Sequence, residues 1–279
     1  MYEPDTNMAQ LQPLHFLITG AARGIGRGLS RLLLERGHRV YLVDSDAEEL
    51  GYMKARVLRP RFHEKNAFES LVADLRKPEQ ISGAVAQAGA FFNGRLDVLI
   101  NNAAYTGVID KPFESLSLEE WNKAVETNLT APMLLSQACL PLLKAQKEKG
   151  RDHGGTIINM SSTRARQSEP GGEAYGATKA GLVGLTQSLA TSLAEMGITV
   201  NAILPGWINV ANECREADEK GARWEDGLSN EDHRWHPSGR VGRVEDVLGA
   251  VEFLVRERFV NGQEIVVDGG VSRKMVYPE

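Results

Sequence analysis

Apolar runs alternate with helical patterns from residue 14 to residue 268. Seven short runs, rich in Val, Ile and Leu, read as strands: Leu14–Thr19, Arg39–Val43, Phe68–Ala73, Val98–Asn101, Thr156–Met160, Thr199–Leu204 and Glu264–Val267. Between them, apolar residues recur at helical spacing in Gly26–Arg36, Leu118–Lys147, Ala174–Met196 and Val244–Val255. Near-continuous apolar strands separated by helices predict an α/β fold, a doubly wound parallel sheet of about seven strands with helices on both faces. Residues 1–13 form a polar tail, and 14–279 read as one domain. Two connections are long, Val57–Ala67 and Trp207–His236. The second follows a strand on the expected ligand-bearing edge, which suits a lid or binding loop.

Composition narrows this picture. The chain has 279 residues, 42% hydrophobic, enough to bury one large sheet with little left for a second domain. A net charge of −5 without any Lys/Arg block argues against nucleic acid or an anionic membrane as partner. Cys139 and Cys214 form no disulfide framework or Cys-rich metal site. His233 and His236 have no convincing third ligand, so no metal is expected. The first 13 residues lack the basic and apolar regions of a secretory signal, and no apolar run approaches the ~20 residues of a membrane span. A cytoplasmic location is expected.

The first strand runs into Thr19-Gly20-Ala21-Ala22-Arg23-Gly24-Ile25-Gly26, which opens the first helix. Glycines let a backbone turn tightly and approach a pyrophosphate closely, and a helix N-terminus offers it free N–H groups. The spacing is G-x-x-x-G-x-G, so the same glycines are also readable as a plain turn. Asp44 ends the second strand. A carboxylate there accepts hydrogen bonds from adenosine ribose hydroxyls and repels a 2′-phosphate, favouring NAD over NADP. Asp44 is equally a candidate cap for the next helix. Arg23 points the other way, because a guanidinium in the turn suits a 2′-phosphate; set in a flexible turn, it is expected to be able to swing into solvent at little cost.

Tyr175 and Lys179 stand one helical turn apart, and Ser162 closes an apolar run thirteen residues upstream. A phenol, an ammonium and a hydroxyl so placed deliver a proton to a carbonyl oxygen. A free phenol titrates near ~10, and the Lys179 charge is expected to lower that value. Ser161 is as good a hydrogen-bonder as Ser162 by residue type.

These motifs resemble the short-chain dehydrogenase/reductase superfamily in its ~250-residue form, from about Leu14 to Gly270. The glycine turn comes first, with Gly20, Arg23, Gly24, Ile25 and Gly26 set to hold the dinucleotide. Leu96-Asp97-Val98-Leu99-Ile100-Asn101-Asn102-Ala103-Ala104 is similar to the N-N-A-G segment, with Ala104 for glycine. Glu126-Thr127-Asn128-Leu129 resembles the segment bearing the catalytic asparagine. Asn159-Met160-Ser161-Ser162, Tyr175-x-x-x-Lys179, Leu204-Pro205-Gly206-Trp207-Ile208 and Val266-Val267-Asp268-Gly269-Gly270 follow in the family's order.

The resemblance implies a Rossmann-like NAD(P)-binding oxidoreductase acting on an alcohol or ketone. It selects Ser162 over Ser161, makes Tyr175 the acid/base, and has Lys179 hold the nicotinamide ribose. It gives Asn128 a water linking Lys179 to solvent, although Asn128 also reads as a residue bonding backbone within its helix. It sets Asn102 and Ala103 against the adenosine ribose, Asp74 and Leu75 at the adenine, and Pro205, Gly206 and Ile208 at the nicotinamide. Asp74 is also readable as a helix cap and Asn102 as a turn residue. Val210 stands where the family often has threonine, which leaves the carboxamide clamp to the Ile208 backbone or Asn209. Pairing of the long helices implies a homotetramer or dimer.

The segment Trp207–His236 carries eight acids, four Lys/Arg, two His and three Trp. That composition favours a polar small-molecule alcohol or ketone over a steroid or lipid, with a solvated lid as the bland alternative. Arg164 and Arg166, just after Ser162, are candidate carboxylate binders or surface ion pairs. Three further readings compete: an NADPH-dependent carbonyl reductase, a non-catalytic nucleotide-binding relative, and a lyase or epimerase with bound NAD.

Overall fold

The computed structural model describes residues 13–62, 66–145 and 152–275. The polar tail therefore lies outside the described residues, apart from Pro13. Seven parallel strands form one sheet: β1 (His15–Thr19), β2 (Arg39–Asp44), β3 (Phe68–Val72), β4 (Val98–Asn101), β5 (Thr156–Met160), β6 (Thr199–Pro205) and β7 (Glu264–Val267). Their order is β3-β2-β1-β4-β5-β6-β7. Every expected strand is present, and each end lies within one residue of its expected position.

The apolar strands face both ways, as the period of two requires. Phe16, Ile18, Val40, Leu42, Ile100 and Ile158 pack on one side, with Leu29 and Leu33 of α1 (Gly24–Glu35) and Val247 and Val251 of α9 (Val244–Arg256). Leu17, Tyr41, Leu99, Ile157 and Val200 pack on the other. Their partners are Ala84 and Ala88 of α3 (Pro78–Phe91) and Leu135 and Cys139 of α5 (Ala131–Leu143). Strand order reverses between β1 and β4, and the C-terminal ends flanking that point are where such sheets bind ligands.

Three expectations need correction. Residues 57 and 58 are not loop; they close a wide helical turn, Met53–Leu58, that extends α2 (Ala47–Tyr52). The stretch from Leu118 is not one α-helix. α4 (Leu118–Val125) passes through a π-helical turn, Glu126–Thr130, before α5, which ends at Leu143. Lys144 is already extended, and residues 146 and 147 lie outside the described residues. The segment Trp207–His236 is not wholly loop, since it holds α7 (Arg215–Lys220) and α8 (Asn230–Trp235). Both are too short for a clear apolar stripe, which hid them in the sequence. Among the described residues, no helix is long and apolar enough to cross a membrane.

Candidate active site

A cleft of about 870 Å³ lies over the C-terminal ends of the strands at the order reversal. Its walls bring together Gly20, Arg23, Gly24, Ile25, Asp44, Asp74, Leu75, Asn102, Ala103, Ser162, Tyr175, Lys179, Pro205 and Gly206. These residues span 187 positions of sequence, from 20 to 206, in one continuous wall. Gly26, Asn128 and Ile208 are not in that wall. Ile208 is buried, pairs with Gly242 in a parallel bridge, and lines a separate cavity of about 280 Å³.

The glycine turn is built from close approaches. Gly20 adopts φ +64°, and a Cβ there would sit 2.7 Å from the Ala103 Cα. A Cβ on Gly26 would lie 2.0 Å from the Gly20 carbonyl oxygen. Asn102 ties this turn to β4: its side-chain amide donates to the Thr19 and Gly20 carbonyls at 2.9 and 3.1 Å. The turn-residue reading of Asn102 thus describes its side chain, while the residue still lines the cleft.

Asp44 accepts from the Ala22 N–H and the Asp46 N–H, both at 2.9 Å. It fastens the glycine turn to the end of β2. The cap of α2 is Asp46 instead, accepting from the Glu49 N–H at 3.0 Å. Arg23 lines the cleft with Asp44, and its half-exposed guanidinium lies 3.4 Å from the Glu49 carboxylate. Asp74 is gripped by Arg76, at 2.9 and 2.7 Å, and that bond holds its carboxyl below the usual range. α3 begins after Lys77, so Asp74 is not its cap.

At the other end, Lys179 is fully buried. Its ammonium donates to the Met160 carbonyl at 2.6 Å and lies 5.4 Å from the Tyr175 ring centre. Burial lowers its pKa to about 8. The expectation that Lys179 draws the phenol below its ordinary value is not met. Burial pushes the Tyr175 phenol up, and outweighs the Ser162 hydrogen bond and the Arg164 charge, which act downward.

The two serines separate clearly. Ser161 turns inward and donates to the Lys179 carbonyl at 2.8 Å. Ser162 lines the cleft, meets the Tyr175 hydroxyl, and accepts from the Arg164 N–H at 3.2 Å.

Asn128 sits in the π-helical turn, wholly buried. It does not bond within its own helix. Its amide accepts from the Tyr105 N–H at 2.6 Å and donates to the Tyr105 carbonyl and the Thr178 hydroxyl, both at 3.2 Å. It locks the segment after β4 onto α6 (Glu173–Ser192), one residue from Lys179.

Sequence reasoning missed the residues that fasten the segment after β6 to the glycine turn. The Glu213 carbonyl accepts the Gly24 N–H at 2.9 Å. Its carboxylate meets Arg31 at 2.9 Å and Arg27 at 3.7 Å, while Asp218 also pairs with Arg27. Arg27 is 2% exposed, on the buried face of α1. A charge on that face was the available signal, because such a charge needs a partner. Asn209 is turned away from the cleft, donating to the Trp224 carbonyl at 2.6 Å, so its side chain supplies no clamp; Val210 lines the cleft instead. Arg166 is committed to Glu264 and Arg164 to Glu169, so both are ion-paired as the alternative reading had it. Among the described residues, no group of three His, Cys, Asp or Glu is placed to hold a metal.

Comparison with known proteins agrees with this geometry. A family profile described as enoyl-(acyl carrier protein) reductase matches residues 20–272. An uncharacterized oxidoreductase of Thermotoga maritima is 38% identical over 266 residues, covering 94% of this chain and 97% of its own length. The 3-oxoacyl-[acyl-carrier-protein] reductase FabG of Staphylococcus aureus is 32% identical over 257 residues, 91% of this chain and 96% of its own. A solved structure of ElxO with NADP bound superposes with a TM-score of 0.75 at 26% identity, covering 94% of this chain and 100% of that one. The chain belongs to the short-chain dehydrogenase/reductase superfamily and is an oxidoreductase of that family.

Proposed function

We propose that this enzyme is an NAD(H)-dependent oxidoreductase that interconverts a polar secondary alcohol and its ketone. One observation carries the reading: Ser162, Tyr175 and Lys179 line the same cleft as the glycine turn. The cleft fits a dinucleotide, because the turn's glycines leave no room for a Cβ and its volume suits an extended ligand. A nicotinamide dinucleotide, once bound, supplies the hydride acceptor or donor.

The residues then divide the remaining work. Tyr175 moves the proton at the substrate oxygen, taking it in oxidation and giving it in reduction. Ser162 holds that oxygen and polarises it. Lys179 keeps a positive charge behind the ring and holds a ribose hydroxyl. Asn128 sets the distance between the segment after β4 and α6; both of its amide hydrogens are engaged, so any water link to Lys179 is accepted by Asn128 oxygen atoms. Asp44 takes the adenosine ribose hydroxyls through the lone pairs left by two backbone N–H groups. Oxidation needs the phenolate, so its rate should climb as pH rises toward the raised pKa of Tyr175, while reduction falls.

An NADPH-dependent reductase is the second reading, favoured by Arg23 in the cleft wall and by the NADP bound to ElxO. Exposed apolar residues on α4 and α5, Leu118 and Met133, support a homo-oligomer, which light scattering would measure. The deciding experiment is a panel of polyols, hydroxy acids, neutral ketones and acyl thioesters, read by absorbance of the reduced nicotinamide with both cofactors. Turnover of none of them, with either cofactor, overturns the reading.

A further inference from the structure

We infer that Glu49 is a cofactor-specificity residue: it engages Arg23 and so withholds from a 2′-phosphate the cation placed to bind it. This rests on the assignment of the cleft to a dinucleotide and deepens the choice of NAD over NADP.

Arg23 and Asp44 line the same stretch of cleft wall. By charge alone they oppose each other, because the guanidinium favours a phosphate and the carboxylate repels it. The contacts decide between them. Arg23 lies 3.4 Å from one Glu49 oxygen, and the other Glu49 oxygen accepts the Arg215 N–H at 3.0 Å. Glu49 is 8% exposed, whereas the Arg23 side chain is 57% exposed. The asymmetry matters. Withdrawing Arg23 returns a mobile guanidinium to water but leaves a mostly buried carboxylate with one neutral N–H as its partner. A buried charge resists losing its counter-ion far more than an exposed one.

The surroundings reinforce this. Asp44, Asp46, Glu48 and Glu49 all stand on the end of β2 or the start of α2. The guanidinium of Arg215, whose backbone N–H meets Glu49, is taken by Glu48 and Glu219. Arg23 and Arg215 are thus both engaged by carboxylates at this end of β2 and α2. Glu49 acts through Arg23 and is a positioning residue that need not touch the cofactor.

The test titrates NADH and NADPH separately into wild type, Glu49→Gln, Arg23→Ala and the double variant, following tryptophan fluorescence. Glutamine keeps the shape and an acceptor for the Arg215 N–H while removing the charge. Glu49→Gln should tighten NADPH about fivefold, the order of a half-exposed ion pair, with NADH unchanged within about twofold. Arg23→Ala in the wild-type background should leave NADPH affinity within about twofold, and in the double variant should abolish the gain. An equal change for both cofactors, a gain that survives Arg23→Ala, or a tenfold NADPH loss in Arg23→Ala alone would overturn the inference. Wild type binding NADPH more tightly than NADH would overturn the NAD assignment instead, and the Arg23 dependence would still judge Glu49.

Discussion

The two ends of the cleft are held by different forces. At the catalytic end, positions are fixed by hydrogen bonds between buried side chains and backbone carbonyls of regular elements. Lys179 donates to Met160, Ser161 to Lys179, and Asn128 spans Tyr105 and Thr178. At the nucleotide end, loops are fastened by carboxylates and guanidiniums: Arg23 with Glu49, and Arg27 with Glu213 and Asp218. The first arrangement is rigid and costs a desolvated ammonium. The second rests on charge pairs, and on the proposed reading those charges bear on the choice of cofactor. Reaction geometry and cofactor choice are therefore separable by mutation.

The largest effect should come from the catalytic end. Tyr175→Phe should lower kcat by roughly 10²–10⁴-fold, the worth of general acid–base catalysis, with NADH affinity within about twofold. Retention of a tenth of wild-type turnover would remove Tyr175 from the role. The counterpart at the other end is Glu213→Ala, which leaves the buried guanidinium of Arg27 to Asp218 alone and weakens the hold on Arg31. Losing one of two carboxylates from a buried guanidinium should cost about 1–2 kcal/mol, short of the full loss of a buried pair, visible in urea denaturation, with weaker binding of both dinucleotides. Loss of cofactor affinity without loss of stability would show that Glu213 does not latch the turn.

Lys179 supplies a pH test. Its folded pKa, about 8, lies below the ordinary 10.5, so the unfolded chain binds the extra proton between those values. Stability with no dinucleotide added should thus rise with pH from about 8. Cys139, whose pKa burial raises from 9.0 to about 12, opposes this above 9, and Tyr175 above 10, so pH 8 to 10 is a window to be read as the difference from a variant that keeps both groups. Relative to Lys179→Met, wild type should gain on the order of 2 kcal/mol across it. A flat difference would mean that Lys179 is not desolvated as the structure has it. The smallest effect belongs to Asp44→Ala, which should narrow the preference for NAD by about tenfold, or reverse it. Unchanged discrimination in paired fluorescence titrations would leave Asp44 with its backbone contacts alone.

Much of this architecture was written locally. Each strand is a short apolar run, and β1, β4, β5 and β6 end next to the residues that line the cleft, so the run and the motif announce each other. Gly20 and Gly26 were readable because only glycine survives a Cβ-excluding contact. Tyr175 and Lys179 share one helix, where spacing alone puts them on one face. The lowered pKa of Lys179 was not read from the sequence, and burial shifts the phenol opposite to the expectation drawn from charge.

The remainder depended on pairs far apart in the chain. Nothing near Arg23 says that Glu49 will reach it, nor does anything near Arg27 name Asp218, 191 residues away. Ser161 and Ser162 are identical in type, and only the pleat of β5 decides which faces α6 and which the cleft. Asn209 was a plausible clamp until the chain after β6 turned its amide toward Trp224. Hydrophobic periodicity and steric exclusion act within a few residues, so the sequence by itself determined the strands, the glycine turn and the placing of Tyr175 and Lys179 on one helix face. Long-range charge pairing depends on where separate loops come to rest, so only the tertiary structure decided which guanidinium is free to meet a cofactor and which is already held.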